Sequence, residues 1–278
     1  MKTIFVQNLA LMVTDKCNFN CRHCMRGTPT GLTISDDTIE NTFNKIHIIG
    51  NVAFTGGEPL LAVDRMRQAL STMKRKKIIF DQFGFISNGT LYDEQLIKEL
   101  FDEYEEYSKQ FAAGFGNSEL SENNTHGYIH LSWDEYHQEQ LTLLRQQNLN
   151  LYKEYVERIE LLTHSKYFRG IAGLNGPLFD EGHAKNLDVK KTPLKAIKKY
   201  FTEADGITYL GPIIGILPDG IITECDGSDD SLRTQYNYGN INQDNIPDII
   251  HRIAGKCKTL KQFDKKCKRS MDNFANAK

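Results

Sequence analysis

Eight residues, Cys17-Asn-Phe-Asn-Cys21-Arg-His-Cys24, constrain this chain more than any others. They hold three thiols, separated first by three residues and then by two. The apolar run Leu9 to Val13 precedes them and reads as a β-strand, so the thiols occupy the loop that leaves it. A loop without regular hydrogen bonding is free to wrap a soft metal centre, and thiolates are the ligands such a centre selects. The number of thiols matters. A closed structural zinc site takes four ligands, and a fully ligated iron–sulfur cluster usually takes four cysteines. Three leave one metal position open to a ligand from outside the protein.

The 278 residues fit one large domain, or a domain of about 200 residues with an appendage. The net charge of −2 provides no global basic field, which argues against a nucleic-acid partner. No run of about 18 apolar residues is present to span a membrane, and Met1-Lys-Thr opens no basic-then-apolar signal peptide. Both absences predict the cytoplasm, where thiols stay reduced. Six cysteines in that compartment read as metal ligands rather than as three disulfides.

Strand-like and helix-like segments alternate. Asp37 and Glu40 suggest a capping box ahead of a helix with Ile39, Phe43 and Ile46 on one face. Val52 to Phe54 is a short strand, followed by Gly56-Gly57-Glu58-Pro59 and a helix marked by Val63, Met66, Leu70 and Met73. That helix ends in Lys74-Arg-Lys-Lys77, a solvated basic face. Phe83 to Ile86 is a strand running into Ser87-Asn88-Gly89. Leu96, Leu100, Tyr104, Tyr107 and Phe111 form a helical stripe, with the acidic residues from Glu99 to Glu106 on the wet side. Tyr128 to Ser132 is a fourth strand, then one helix carries Leu151, Tyr155, Ile159 and Leu162, and Tyr167 to Leu174 is a fifth strand. Such alternation predicts an α/β fold with a parallel sheet, whose functional groups gather on the loops after the strands. Past about residue 205 the texture changes. Gly211 to Cys225 reads as a hairpin turning at Pro218-Asp219-Gly220, Ile246 to Ile253 as a short helix, and Lys256 to Arg269 carries seven Lys/Arg against one Asp. The expected division is 1–205 for the core and 206–278 for a small α+β extension.

The cysteine spacing, with the aromatic His23 just before the third thiol, resembles the signature of the radical S-adenosylmethionine (SAM) enzymes. The resemblance implies a partial, open (β/α)6 TIM-like barrel. Cys17, Cys21 and Cys24 would ligate a [4Fe–4S] cluster whose open iron is chelated by SAM. An electron from the cluster, drawn from a flavodoxin- or ferredoxin-type donor, would cleave SAM to a 5′-deoxyadenosyl radical that takes a hydrogen atom from substrate. His23 would pack near the adenine. Gly56, Gly57 and Glu58 resemble the family's Gly-Gly-Glu motif, which binds the amino group of SAM; the plainer alternative is a βα turn with a solvated glutamate. Ser87 and Asn88 resemble a third-strand motif at the SAM ribose or carboxylate, and Ser132 a polar SAM contact after the fourth strand. Asp134, His130 and His137 stand at that same strand end and are candidates for acid–base work on substrate. Trp133 reads as core or pocket wall.

Gly182-His183-Ala184 resembles a Gly-Arg-Ala segment of peptide-modifying members, with His183 in place of arginine. The hairpin ending at Cys225 resembles the start of that subgroup's cluster-binding extension. Cys225, Cys257 and Cys267 leave two alternatives open, a second iron–sulfur cluster or free thiols in a degenerate extension. The implied activity is modification of a peptide, of the ribosomally made kind; a small-molecule or nucleotide substrate is the alternative within the enzyme class. A non-catalytic zinc-binding interaction module is the alternative outside it.

Overall fold

A long central strand organises the chain. Thr3–Thr14 forms β1, and its six residues from Leu9 to Thr14 are all buried. Unbroken burial, in place of alternation, means that both faces of the strand are covered, as in a parallel sheet packed by helices. The computed structural model describes residues 3–115, 125–172, 178–193, 200–204, 206–224 and 227–256. Cys225, Cys257, Cys267 and the basic tail beyond residue 256 lie outside them.

Helix α1 (Asp36–Lys45) follows the cysteine loop, and its cap is Ser35, whose side chain accepts from Thr38 N at 3.1 Å. The expected Asp37/Glu40 capping box does not form. Asp37 lies inside the first turn, where its charge still suits the helix dipole, and Glu40 reaches Arg75 and Lys76 of the next helix. Strand β2 (Ile48–Gly56) leads through a 3-10 turn at Pro59–Ala62 into α2 (Val63–Arg75). Its buried residues include Met66, Leu70 and Met73 as expected. The basic run at its end is paired: Lys74 with Glu103, and Arg75 and Lys76 with Glu40.

Strand β3 (Ile79–Ser87) precedes α3 (Glu94–Phe115). The buried face of α3 carries Ile97, Leu100, Phe101 and Tyr104, a stripe rotated slightly from the expected one; Leu96 is only half-buried. Glu105 is a clear correction. It is 6% exposed and accepts from the backbone of His126 and Gly127, both at 2.8 Å, where the next strand begins. After β4 (Gly127–Ser132) there are two helices where the sequence suggested one: α4 (Glu135–Gln147) and α5 (Leu149–His164), each begun by a side-chain cap, Asp134 and Asn148. Helix α4 buries only Tyr136, His137 and Leu141, too thin a stripe to declare itself by periodicity. Strand β5 (Phe168–Ala172) follows.

Strands β6 (Tyr200–Ala204) and β7 (Ile207–Gly211) form an antiparallel pair. Then come β8 (Ile214–Ile216), β9 (Ile221–Thr223), α6 (Asp229–Arg233), β10 (Gly239–Asn240) and α7 (Ile246–Lys256). The β8–β9 hairpin turns at Pro218-Asp219-Gly220 as expected, with Gly220 in the left-handed region at φ 88°. The sheet runs β10-β9-β8-β1-β2-β3-β4-β5, parallel from β8 to β5, with β7 also parallel to β1. It is an open α/β sheet of the partial-barrel type. Five parallel strands follow in sequence order, and no sixth pairs with the outer edge of β5 among the described residues. The extra strands lie instead beyond β1. One apolar core unites both parts: Leu9, Leu11, Val52 and Phe85 share it with Ile214, Ile216, Ile222 and Ile253.

Candidate active site

Strands β1 to β4 end at one edge of the sheet, at Thr14, Gly56, Ser87 and Ser132. A cavity of about 320 Å³ opens there. Its wall includes Cys17, Cys21, Cys24 and His23 from the loop after β1, and Gly56 and Gly57 after β2. Ser87 and Asn88 after β3, and Ser132 and His137 around the start of α4, complete it. Ten of the expected site residues thus share one hollow.

The cysteine loop is held by an internal turn and from two sides. Cys24 N donates to Cys21 O at 3.0 Å in a tight turn, and both residues line the cavity. Glu58 N donates to Lys16 O at 2.7 Å and Gly57 N to Thr14 O at 3.0 Å, which stitches the β2 loop to the cysteine loop. Glycine is needed at this seam. A Cβ on Gly56 would stand 1.9 Å from Thr14 O, and one on Gly57 2.3 Å from Lys16 O. From the other side, His183 N donates to Cys24 O at 2.9 Å, and a Cβ on Gly182 would meet Met25 O at 2.4 Å. His183 lines the cavity, so the Gly182-His183 segment approaches the cysteines even though histidine stands where arginine was expected.

Glu58 departs from the reading of a solvated glutamate in a plain turn. It is neither solvated nor on the cavity wall; it is fully buried. Oε1 accepts from Leu60 N at 3.0 Å and Ser87 Oγ at 2.8 Å, and Oε2 from Asn88 N at 2.8 Å. Burial pushes its carboxyl up to about 7, while the bonds from Asn88, Leu60 and Ser87 pull the other way. Its carboxylate fixes the β3 loop, and so the placement of Ser87 and Asn88. Burial likewise pushes the Cys17 thiol up to about 11 and the Cys21 thiol up to about 12, with neighbouring acidic groups adding to the effect. A bound cation inverts that logic, because it stabilises the thiolate directly.

The end of β4 carries a polar network. Asp134 accepts from His137 Nδ1 at 2.7 Å and from His23 Nε2 at 2.9 Å. Burial alone would raise its carboxyl, but the bonds from His137 and His23 hold it well below the usual carboxylate range. The His23 ring stacks on Tyr136 at 4.4 Å, and Arg22 lies over the other ring at 4.9 Å from its centroid. The ligand atoms of His23, Asp134 and His137 come within 4.8 Å of one another, close enough to enclose a metal ion. Their contacts, at 2.7 and 2.9 Å, are those of N–H···O hydrogen bonds. His130 does not line the cavity; it is half-buried beside Tyr128, and burial lowers its imidazole. Trp133 lines a separate hollow between α4 and α5.

Sequence reasoning passed over several neighbours. Asn18 accepts from Asn88 Nδ2 at 2.9 Å and donates to Thr90 Oγ1 at 2.8 Å, linking the cysteine loop to the β3 loop. Asp15 lines the cavity, and its Oδ2 holds Thr30. Ile213, Asp229 and Leu232 reach the wall from the last third of the chain, where no local signal marks them. Asp229 N donates to Arg26 O, and Arg26 donates to Gly227 O.

The residues present fit an iron–sulfur cluster with SAM. The donor set is three thiols on one wall, the glycines leave room for backbone to approach closely, and His23 Nδ1 and Asp15 Oδ1 are buried polar atoms without a partner beside the cavity.

Comparison with known proteins agrees. Residues 11–115, from β1 through α3, match the model of the Radical SAM superfamily. The resemblance carried by Cys17–Cys24 is borne out over residues 11–115, and the family they match implies a [4Fe–4S] cluster and SAM. The uncharacterized protein MJ0907 of Methanocaldococcus jannaschii is 28% identical over 102 residues, which are 34% of this chain. That match spans only 36% of the relative's length. A solved structure of anSMEcpe with bound AdoMet and the Cp18Cys peptide aligns with 95% of this chain and 85% of its own, at 15% identity and a TM-score of 0.50. It shows a shared fold. The structure of Streptococcus suis SuiB aligns with 88% of this chain and 65% of its own, at 14% identity and a TM-score of 0.41.

Proposed function

We propose that the protein is a radical SAM enzyme that removes a hydrogen atom from a peptide substrate. The observation that carries this reading is the convergence on one cavity of three cysteines, the Gly56-Gly57 seam and the polar ends of β3 and β4. Cys17, Cys21 and Cys24 would hold the cluster. When bound, the cluster and SAM supply a reductively generated radical; the protein's work is to bind, orient and exclude competing reactions. Gly56 and Gly57 would give SAM an approach to backbone, and Ser87, Asn88, Ser132 and His23, which line the same cavity, would offer it polar contacts. Glu58 contributes by holding the β3 loop. The peptide substrate is supported by the fold shared with anSMEcpe over nearly the whole chain, including the stretch past residue 205. A flavodoxin- or ferredoxin-type protein is the proposed electron donor, and residues 206–278 the proposed extension, with Cys225, Cys257 and Cys267 as its candidate ligands.

The test is anaerobic purification with iron and sulfide quantification, followed by assay of 5′-deoxyadenosine from SAM and dithionite. About four irons per chain, SAM cleavage, and loss of both on Cys17/Cys21/Cys24→Ala are expected. Iron surviving the triple substitution would point to a second cluster. A colourless zinc protein inert to SAM would overturn the reading.

A further inference from the structure

Asp134 does two jobs at once. It caps α4, with Oδ1 accepting from the backbone of Tyr136 and His137 at 3.0 Å each. The same carboxylate meets His137 Nδ1 through Oδ1 and His23 Nε2 through Oδ2. An ionised carboxylate can only accept, so both facing nitrogens carry hydrogen. In the neutral rings this leaves His137 Nε2 and His23 Nδ1 as acceptors, the second of them buried without a partner. Neutral histidine in water favours the hydrogen on Nε2, so the His137 arrangement is the less common tautomer. His137 Nε2 lies 3.4 Å from Ser132 Oγ, and both residues line the cavity of the three cysteines. An imidazole whose far nitrogen is fixed by a carboxylate offers its near nitrogen as an acceptor.

We propose that Asp134 is a positioning residue that locks His137 in its Nδ1–H tautomer, so that Nε2, beside the Ser132 hydroxyl, accepts a hydrogen bond or a proton from the substrate. A substrate that presents an O–H, N–H or S–H group there can donate to Nε2 in place of the Ser132 hydroxyl, which lies 3.4 Å from it. The inference rests on the cavity being the reaction site, but its test needs neither iron nor SAM, so the two fail separately.

Cluster-free protein labelled with 15N-histidine would be examined by two-bond proton–nitrogen correlation at about pH 8.5, some two units above the ordinary histidine value. His23→Gln and His137→Gln assign the rings. In the wild type, His137 is expected as Nδ1–H and His23 as Nε2–H. Asp134→Ser keeps a good helix cap but is too short to reach the imidazoles; His137 is expected to revert to Nε2–H with the backbone spectrum retained. Asp134→Asn keeps the capping oxygen and turns an amide N–H₂ toward His23, which is expected to switch to Nδ1–H while His137 stays unchanged. A wild-type His137 in the Nε2–H form overturns the proposal, as does an Nδ1–H form that survives in Asp134→Ser. Should Asp134→Ser fail to fold, the wild-type His137 tautomer still decides the proposal, since an Nε2–H form overturns it.

Discussion

At Gly57 a single added carbon would collide with the carbonyls of Asp15 and Lys16 at 2.5 and 2.3 Å, both backbone atoms of the cysteine loop. Backbone yields less readily than a side-chain tip, so Gly57→Ala should cost about 1–3 kcal/mol and should displace the loop carrying Cys17. Chemical denaturation reads the first effect, and iron uptake on reconstitution the second. A variant that keeps full iron uptake would mean the loop tolerates the shift. Glu58 makes a different prediction. Its folded value of about 7 lies above the ordinary carboxyl value of 4.5, so the folded state holds that proton more tightly than the unfolded one. The resulting stability is fully present below about pH 4.5 and is lost as pH rises through 7. Denaturation midpoints of the cluster-free protein between pH 5 and 8, taken as approximate bounds of that window, should therefore fall more steeply in wild type than in Glu58→Gln. Parallel slopes would show that Glu58 does not titrate there.

Helix α3 offers a contrast within one element. Glu105 is buried and is the acceptor for two backbone N–H groups at the start of β4, while Glu103 makes an exposed pair with Lys74. Truncating a buried acceptor strands its donors, at about 1–3 kcal/mol for each group left unsatisfied; breaking a surface pair costs about 0–1 kcal/mol. Glu105→Ala should lower the thermal midpoint by several times the shift of Glu103→Ala, and equal shifts would refute the distinction. Nothing in the acidic run from Glu99 to Glu106 separates these residues by composition. Helical phase puts Glu105 one position after Tyr104, at the margin of the buried stripe, where only the arrival of β4 supplies it with partners. Helix α4 was missed for a related reason: it buries three side chains and depends on the Asp134 cap.

Across the whole molecule, the stretch after residue 205 bears on the fold of what precedes it. Strands β7 and β8 occupy the flank of β1 opposite β2, and Ile214, Ile216, Ile222 and Ile253 enter the same core as Leu9 and Leu11. A chain ending at residue 205 is expected to expose one side of β1 and to lack cooperative unfolding, as read by circular dichroism and calorimetry. A sharp, independent melting transition in that fragment would make the first 205 residues an autonomous domain. Much of the site was legible before any of this was known. The cysteine spacing, the glycine pair and the polar residues at the strand ends are local features: thiols eight residues apart or less share a loop, and a glycine pair after a strand marks a close approach wherever the chain later goes. The same holds for the β8–β9 turn, encoded in Pro218-Asp219-Gly220. What tertiary structure alone decided are contacts between segments distant in the chain. It turned Glu58 inward to hold the β3 loop, set Asp134 against His23, drew His183 and Leu232 to the cavity, and laid β8 beside β1. Spacing fixes which groups can share a loop; only the packing of strands and helices fixes which buried charge finds its partners, because burial and hydrogen bonding are properties of the assembled neighbourhood rather than of any one segment.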